Sequence, residues 1–254
     1  MNIPTNLRRA ALVIYWRFFA RSATLHRVAR VIDRRFFSNN ATAFIDRLKQ
    51  KSMLHRETLT LLQQYAGQAR GAILEIGPYI GGSTIAMATG AKEGVPVISV
   101  EVGGSHDNPR IPSNDILADL RRNLEEYNVN DRVSIVQGWS NHADTIARVE
   151  SLLGPRKADL FFVDSDGAIA RDFPLYRRFL SDQAVIVLDD YFGVTGIKEG
   201  PVQAFVKELT GSGQAKEIGI YQYATWFGRL QPSNCVAPSA PSSRTSRTGR
   251  SASG

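Results

Sequence analysis

The chain is 254 residues long; 43% of its residues are hydrophobic, 22% are charged, and the formal net charge is +7. These proportions are ordinary for a soluble globular protein, and they exclude collagen-like, disulfide-stapled and wholly disordered chains. The single cysteine, Cys235, excludes an intrachain disulfide and a metal site built from several cysteines. Because no stretch holds the ~18 apolar residues that a membrane-spanning helix needs, we expect a cytoplasmic protein.

The positive charge belongs to the two ends of the chain. Residues 1–70 carry 13 Lys and Arg against 3 Asp and Glu, and residues 231–254 carry 3 Arg and no acid, whereas residues 71–230 carry 15 basic and 21 acidic residues. The basic balance therefore gives no reason to expect a nucleic-acid partner for the middle of the chain. We expect three parts: a basic helical segment over 1–70, a folded domain over 71–230, and a disordered tail rich in Ser, Pro and Arg over 231–254.

The spacing of apolar residues predicts helices in the first part of the chain. A densely apolar stretch at 7–19 is surrounded by arginines, and a second helical segment covers 43–65. Three interpretations of residues 1–35 stay open: a helix packed on the core with a solvated basic face, a helix lying on a membrane surface, or a cleaved targeting peptide. The second would give the protein a peripheral contact with a membrane.

The middle of the chain alternates strand-like and helix-like segments, which predicts a mainly parallel sheet with helices on both faces. Strands are predicted at 72–76, 96–101, 133–137, 159–163, 184–188, 215–221 and 223–228. Helices are predicted at 83–91, 116–127, 141–153, 172–180 and 201–209. At most one residue joins the last two strands, so we expect them to form an antiparallel pair at the end of a seven-stranded sheet.

A Gly-rich turn follows the first strand and is the most informative stretch of the sequence. Gly77 lets the backbone turn where the buried strand ends, and Gly81 with the glycine after it allows a ligand to approach closely. Ser83 begins a helix whose free N–H groups face the crevice beyond the strand ends. The spacing departs from the Gly-x-Gly-x-x-Gly motif of dinucleotide sites. Because Glu75 would repel a pyrophosphate, the turn favours a ligand with a positive amino group.

Two further strand ends carry polar or aromatic residues that suit a nucleoside. Glu101 ends the second strand about 24 residues after Gly77, and its carboxylate offers two oxygens that can accept both hydroxyls of a ribose. Trp139 and Ser140 follow the third strand. Each feature alone is more typical of an ordinary turn, but the three in order, each at the carboxyl end of a strand, favour a binding site.

Four carboxylates follow the fourth and fifth strands. The fourth strand leads into Asp164 and Asp166, and the fifth leads into Asp189 and Asp190. Since these strands are expected to be neighbours, the acids would repel one another unless a cation lies between them. Oxygen ligands of this kind suit a hard divalent cation such as Mg²⁺. The alternative is that the acids cap the following helices or face solvent.

These motifs resemble those of the class I S-adenosylmethionine-dependent methyltransferases, on residues 75–87, 101, 138–141 and 159–167. Within that family the chain is most similar to small-molecule O-methyltransferases of the catechol type and of the sugar-modifying type. The resemblance covers about residues 71–230 and implies an α/β fold: a Rossmann-like, seven-stranded, mostly parallel sheet with helices on both faces, an antiparallel last strand and added N-terminal helices. In the family the Gly-rich turn wraps the methionine part of the cofactor, the acid matched by Glu101 holds the ribose, and the residues matched by Trp139 and Ser140 contact the adenine. The implied cofactor-binding residues are Glu75, Gly77, Tyr79, Gly81, Ser83, Glu101, Trp139 and Ser140.

The resemblance also implies roles for the four acids. Metal-dependent members carry an acid after the fourth strand and an acidic pair after the fifth, which matches Asp164, Asp189 and Asp190 as metal ligands. The catechol type has a lysine base three residues after its first metal ligand, where this chain has Gly167. The sugar-modifying type has Asp-x-Asp with the second acid as base, which implies Asp166 as the catalytic base.

We therefore expect methyl transfer from S-adenosylmethionine to a hydroxyl of a small molecule, namely a sugar or glycoside with vicinal hydroxyls, assisted by a divalent cation, Mg²⁺. Two alternatives stay open. One is a metal-independent methyltransferase with another acceptor, nucleic acid included, although carboxylates at the acceptor site repel phosphates. The other is a non-catalytic cofactor-binding protein at a membrane surface. Whether the chain forms a homo-oligomer also stays open.

Overall fold

The computed structural model of the protein describes residues 39–192, 197–222 and 224–232. The predictions for residues 1–35 and for the tail from residue 233 onward lie outside these residues. None of the described helices combines the length and the hydropathy that crossing a bilayer requires.

Seven strands form one sheet in the order β3-β2-β1-β4-β5-β7-β6. The strands are β1 Ala72–Ile76, β2 Val97–Glu101, β3 Val133–Gln137, β4 Ala158–Val163, β5 Leu180–Leu188, β6 Ala215–Tyr221 and β7 Thr225–Leu230. Strands β1 to β5 pair in parallel, whereas β7 is antiparallel to both β5 and β6. The predicted α/β fold with an antiparallel pair at one end is confirmed.

Seven α-helices accompany the sheet in the described residues. They are α1 Asn39–Leu48, α2 Arg56–Ala66, α3 Gly82–Gly90, α4 Ile116–Glu126, α5 Ala143–Leu153, α6 Ile169–Tyr176 and α7 Glu199–Gly211. Short 3-10 turns follow α1 and α6 and precede β3. The helix predicted over 43–65 is therefore two helices, because the chain bends after the turn Lys49–Lys51 and the Ser52 hydroxyl accepts the Leu54 N–H at 3.2 Å.

Two hydrophobic layers hold the helices on opposite faces of the sheet. Every residue of β1 and β2 is buried, as expected for parallel strands covered on both sides. One layer joins α1 to α4 to the sheet, and the other joins α5, α6 and α7 to it. Successive residues of β4 alternate between the layers, with Phe161 in one and Phe162 in the other. Helices α1 and α2 thus share the core of the domain.

Because β1 to β5 are parallel, their carboxyl ends lie along one edge of the sheet. The Gly-rich turn, Glu101, Trp139 and the two acidic strand ends all follow these carboxyl ends. In open parallel sheets this edge is where ligands bind. The fold therefore brings the residues singled out in the sequence to a common edge.

Candidate active site

The Gly-rich turn is built from left-handed backbone conformations pressed against the end of β4. Gly77 has φ +82°, Tyr79 has φ +51°, and Gly81 has φ +97° directly before α3. A Cβ on Gly77 would lie 1.9 Å from the carbonyl oxygen of Asp164. Only glycine fits at this position, and the turn consequently lies directly beside the first predicted metal ligand.

The Glu75 side chain is buried in the core, where it holds the Gly-rich turn in place. Its carboxylate is fully buried and accepts hydrogen bonds from the hydroxyls of Ser83, of Thr84 at 2.6 Å and of Ser99 at 2.7 Å. Burial raises the pKa of Glu75 against the opposing effect of these hydroxyls. The carboxylate ties the start of α3 to β1 and β2. Cofactor contacts by Glu75 and Ser83 stay predictions, since both side chains are already hydrogen-bonded to each other.

Glu101 faces the turn from the end of β2. One of its oxygens accepts the Tyr79 N–H at 3.1 Å, and the other accepts the Gly103 N–H at 3.0 Å. Burial raises the pKa of Glu101, while these backbone donors work in the opposite direction. Each carboxylate oxygen has a second lone pair, so both can still accept a hydroxyl from a ligand. The geometry suits the predicted binding of a ribose.

The Tyr79 side chain holds the loop that follows β2 against the carboxyl edge of the sheet. Its hydroxyl donates a hydrogen bond to the carbonyl oxygen of Ile111, and its ring meets His106 edge-on at 5.5 Å between centroids. His106 and Ser113 pair through their backbones across the base of this loop. The Tyr79 side chain therefore holds the loop that follows β2, and its backbone N–H holds Glu101.

The two residues after β3 differ in exposure. Trp139 is 52% exposed, which leaves its indole face open to a flat ligand. Ser140 is buried; its hydroxyl donates to Asp172 at 2.7 Å, and its carbonyl oxygen accepts the Tyr176 hydroxyl at 2.9 Å. Trp139 is thus available for stacking on an adenine, whereas Ser140 anchors the segment to α6. Both predicted cofactor contacts stay predictions.

The structure brings Asp164, Asp189 and Asp190 together at the ends of β4 and β5. One carboxylate oxygen of each lies within 4.8 Å of those of the other two. The Thr225 hydroxyl donates to Asp189 at 2.6 Å, and the ammonium of Lys198 lies 3.1 Å from Asp190. We call these three carboxylates the acid cluster.

Burial and nearby negative charge raise the pKa values of Asp164 and Asp189. The pKa of Asp164 is raised well above its ordinary value by burial and by the charges of Asp189 and Asp190. The pKa of Asp189 is raised to about 6, mainly by burial, against the hydrogen bond from Thr225. The cluster therefore holds more negative charge than its surroundings neutralise.

The residues present fit a hard divalent cation. Three carboxylates that converge to this spacing supply the oxygen ligands that Mg²⁺ uses. The small cavity beside them is lined by Ser165 as well as Asp189 and Asp190, and the buried hydroxyl oxygen of Ser165 has no hydrogen-bond partner among the described residues. A buried polar atom without a partner is costly unless a ligand or water satisfies it. The rest of the lining is Gly167 and four apolar side chains, so the polar side chains of this cavity are Ser165 and the two acids; the apolar ones are Val163, Ile169, Leu188 and Val202.

Asp166, the predicted base, lies outside the acid cluster in this structure. Its side chain is 49% exposed and pairs with Arg171 at 3.2 Å, while its other oxygen accepts the Ala168 N–H at 3.0 Å. Arg171 also binds the buried carboxylate of Asp172 at 2.7 Å. Asp166 thus bonds to the backbone just before α6 in the conformation described, and its role as base stays a prediction.

Two residues of the site were missed in the sequence, Lys198 and Thr225. Lys198 stands directly before α7, where no periodicity marks it, and Thr225 looks like an ordinary β-branched strand residue. No signal in the sequence points to Lys198, whose proximity to Gly167 is visible only in the structure. A Cβ on Gly167 would lie 3.0 Å from the Lys198 Cα, so the glycine leaves room for that lysine.

Comparisons with known proteins agree with this geometry. Residues 74–191 match a family model described as a methyltransferase domain. No curated protein matches the sequence. Among solved structures, cofactor-bound Rv0187 from MTB superposes with a TM-score of 0.60 at 21% identity, over 81% of this chain and 96% of that chain.

Two further solved structures are similar to the chain. An O-methyltransferase from Bacillus cereus in complex with SAH has a TM-score of 0.59 at 19% identity, over 81% of this chain and 97% of that chain. The O-methyltransferase TomG from Streptomyces achromogenes, involved in tomaymycin synthesis and solved with SAM, has a TM-score of 0.56 at 19% identity, over 77% and 91%. At these identities the likeness establishes the fold.

Proposed function

Residues 74–191 are a methyltransferase domain with the class I, S-adenosylmethionine-dependent fold, and from that premise we propose that the protein methylates a hydroxyl of a small molecule with the help of a divalent cation. The acceptor we propose is a sugar or glycoside with vicinal hydroxyls, and the cation is Mg²⁺. The observation that carries the proposal is the position of the acid cluster, whose Asp164 carbonyl abuts the Gly-rich turn at Gly77. The cofactor-binding site and the acceptor-binding site would then lie next to each other.

The chain offers a complementary surface for each part of S-adenosylmethionine. Each Glu101 oxygen accepts one backbone N–H and has a second lone pair for a ribose hydroxyl, and the exposed Trp139 side chain would contact the adenine. The turn at Gly77 and Gly81 has left-handed backbone conformations that favour glycine, and the methionine portion would lie against this turn. S-adenosylmethionine supplies a methyl group already activated by its positive sulfur. The residues of the chain therefore have to bind and orient it, and in well-ordered cases orientation alone contributes about 7–11 kcal/mol.

The acid cluster would hold the cation at the acceptor side of the turn. The Thr225 hydroxyl donates to Asp189 and orients its carboxylate, one oxygen of which lies within 4.8 Å of those of Asp164 and Asp190. A divalent cation held by these three residues would supply Lewis acidity, which lowers the pKa of a bound hydroxyl. Vicinal hydroxyls suit this arrangement because two adjacent oxygens can complete the coordination of one ion.

Removal of the hydroxyl proton is assigned to Asp166. Its ion pair with Arg171 is exposed, and such pairs contribute little to stability, so the carboxylate can leave it for an acceptor at modest cost. A positioned general base typically contributes about 10²–10⁴ in rate. Structural neighbours named as O-methyltransferases support a hydroxyl as the acceptor group.

The proposal is tested by replacing Asp189 with Asn and measuring turnover of labelled S-adenosylmethionine against a panel of sugars, glycosides and catechols. We expect turnover to be lost, and calorimetric binding of the cofactor to stay nearly unchanged, because Asp189 lies on the acceptor side. A chelator should have the same effect on the unaltered protein. Asp144→Asn, an exposed change on α5, is the matched control. Undiminished turnover by Asp189→Asn would contradict the metal-assisted reaction.

A further inference from the structure

A lysine lies where the acid cluster meets the entrance of α7. The ammonium of Lys198 is 3.1 Å from a carboxylate oxygen of Asp190, and the two side chains are 38% and 32% exposed. The backbone of Lys198 passes close to Gly167, where a Cβ would lie in tight contact, 3.0 Å from the Cα and Cβ of the lysine. The described position of Lys198 thus places its ammonium at the acid cluster.

Lys198 neutralises the acid cluster only in part. Three carboxylates face one ammonium, and the ion pair described is with Asp190 alone. The cluster therefore attracts a second cation strongly.

We propose that Lys198 is the resident counter-ion of the acid cluster, and that a divalent cation binds there by displacing the ammonium from Asp190. The inference rests on the metal site of the proposed function. An ammonium 3.1 Å from Asp190 and an ion held by the same three carboxylates would lie only a few ångströms apart, and two positive charges at that separation repel strongly.

The side chain of Lys198 has a route out of the site. It is more than one-third exposed, and its four-carbon stem can turn the ammonium into solvent without moving the backbone. Lysine is a strongly hydrated point charge, so the released ammonium regains its hydration. While no ion is bound, the lysine would reduce the electrostatic repulsion among the three carboxylates. It would also lower the affinity of the site for cations.

The experiment is a calorimetric titration of Mn²⁺ into the full chain at pH 7.5, with the unaltered protein and with Lys198→Met. We expect Lys198→Met to bind Mn²⁺ about tenfold more tightly or better, because the competing charge is gone. Lys198→Arg keeps the charge and should bind as weakly as the unaltered protein or more weakly. Lys207→Met removes an exposed lysine from α7, the helix that follows Lys198, and is the matched control, with unchanged affinity expected.

If Lys198→Met binds Mn²⁺ no more tightly than the unaltered protein, and Asp189→Asn abolishes the heat of binding, the displacement is wrong but the metal site is supported. In that case Lys198 would support Asp190 as a ligand rather than compete for it. An absence of Mn²⁺ heat from every variant, or heat that persists in Asp189→Asn, would overturn the inference together with the metal part of the proposed function. If Lys198→Met fails to fold by circular dichroism, Lys198→Gln takes its place in the same titration.

Discussion

Replacing Asp189 with Asn should stabilise the metal-free protein, although it removes a residue of the proposed active site. The pKa of Asp189 is raised from 3.8 to about 6, so keeping it ionised at pH 7.5 works against folding. A difference of about two pKa units at 1.36 kcal/mol each corresponds to about 3 kcal/mol. Because Asp189 is partly exposed, solvent screening reduces the expected gain to about 1–3 kcal/mol. The asparagine carbonyl can still accept the hydrogen bond from Thr225, so little packing is lost.

The assay is urea unfolding in the presence of a chelator at pH 7.5 and near pH 4. The folded protein holds the Asp189 proton to higher pH than the unfolded chain does, so this group's contribution to stability is complete below the unfolded pKa and is lost as pH rises through about 6. The advantage of Asp189→Asn should therefore be large at pH 7.5 and small near pH 4. Asp144→Asn, exposed on α5, should show neither effect. A variant that is no more stable than the unaltered protein at pH 7.5 would refute the electrostatic reasoning.

Three other substitutions test separate parts of the site. Thr225→Val removes the hydroxyl that donates to Asp189 at 2.6 Å, and it should weaken Mn²⁺ binding about tenfold in calorimetry. Thr225→Ser should restore the binding. Equal Mn²⁺ binding by the valine variant and the unaltered protein would rule out this positioning role. Trp139→Ala should weaken binding of S-adenosylhomocysteine by about tenfold or more if the indole stacks on the base, without lowering the melting temperature, since the side chain is 52% exposed. Gly77→Ala should lower the free energy of unfolding by more than ~2 kcal/mol, because its Cβ would lie 1.9 Å from the Asp164 carbonyl oxygen. Gly94→Ala, with a similar φ of +78° and open space around it, should show backbone strain alone, about 1–2 kcal/mol. Similar losses of stability for both variants would mean that the turn tolerates a Cβ.

The sheet was predictable from the sequence because its strands are short, nearly continuous apolar runs. β1, β3 and β6 have the predicted bounds. β5 begins four residues earlier than predicted, because the polar residues 181–183 interrupt the apolar pattern that marks a buried strand. The parallel arrangement also made the acid cluster predictable, since the carboxyl ends of neighbouring strands must meet at one edge. The convergence of Asp164, Asp189 and Asp190 follows from that rule.

The sequence did not predict which residue forms an ion pair or hydrogen bond with each charged side chain. Asp166 and Asp164 are two residues apart, yet one pairs with Arg171 at the surface while the other lies in the acid cluster. Lys198 reaches that cluster from a different segment, and no local pattern encodes the approach. Likewise, Glu75 looks exposed to a ligand in a linear motif, but three hydroxyls from two other elements enclose it. Such pairings depend on how loops and helices pack, which the periodicity of a single chain does not record.

The central claim is that S-adenosylmethionine binds along the carboxyl edge of the sheet with its ribose on Glu101. Calorimetric titration of S-adenosylhomocysteine into the purified full chain tests it most directly, with Glu101→Gln alongside. We predict binding of one molecule per chain for the unaltered protein, and an affinity at least about tenfold lower for Glu101→Gln, because a neutral amide replaces a carboxylate acceptor. An absence of heat from the folded, unaltered protein, or undiminished binding by Glu101→Gln, would contradict the account.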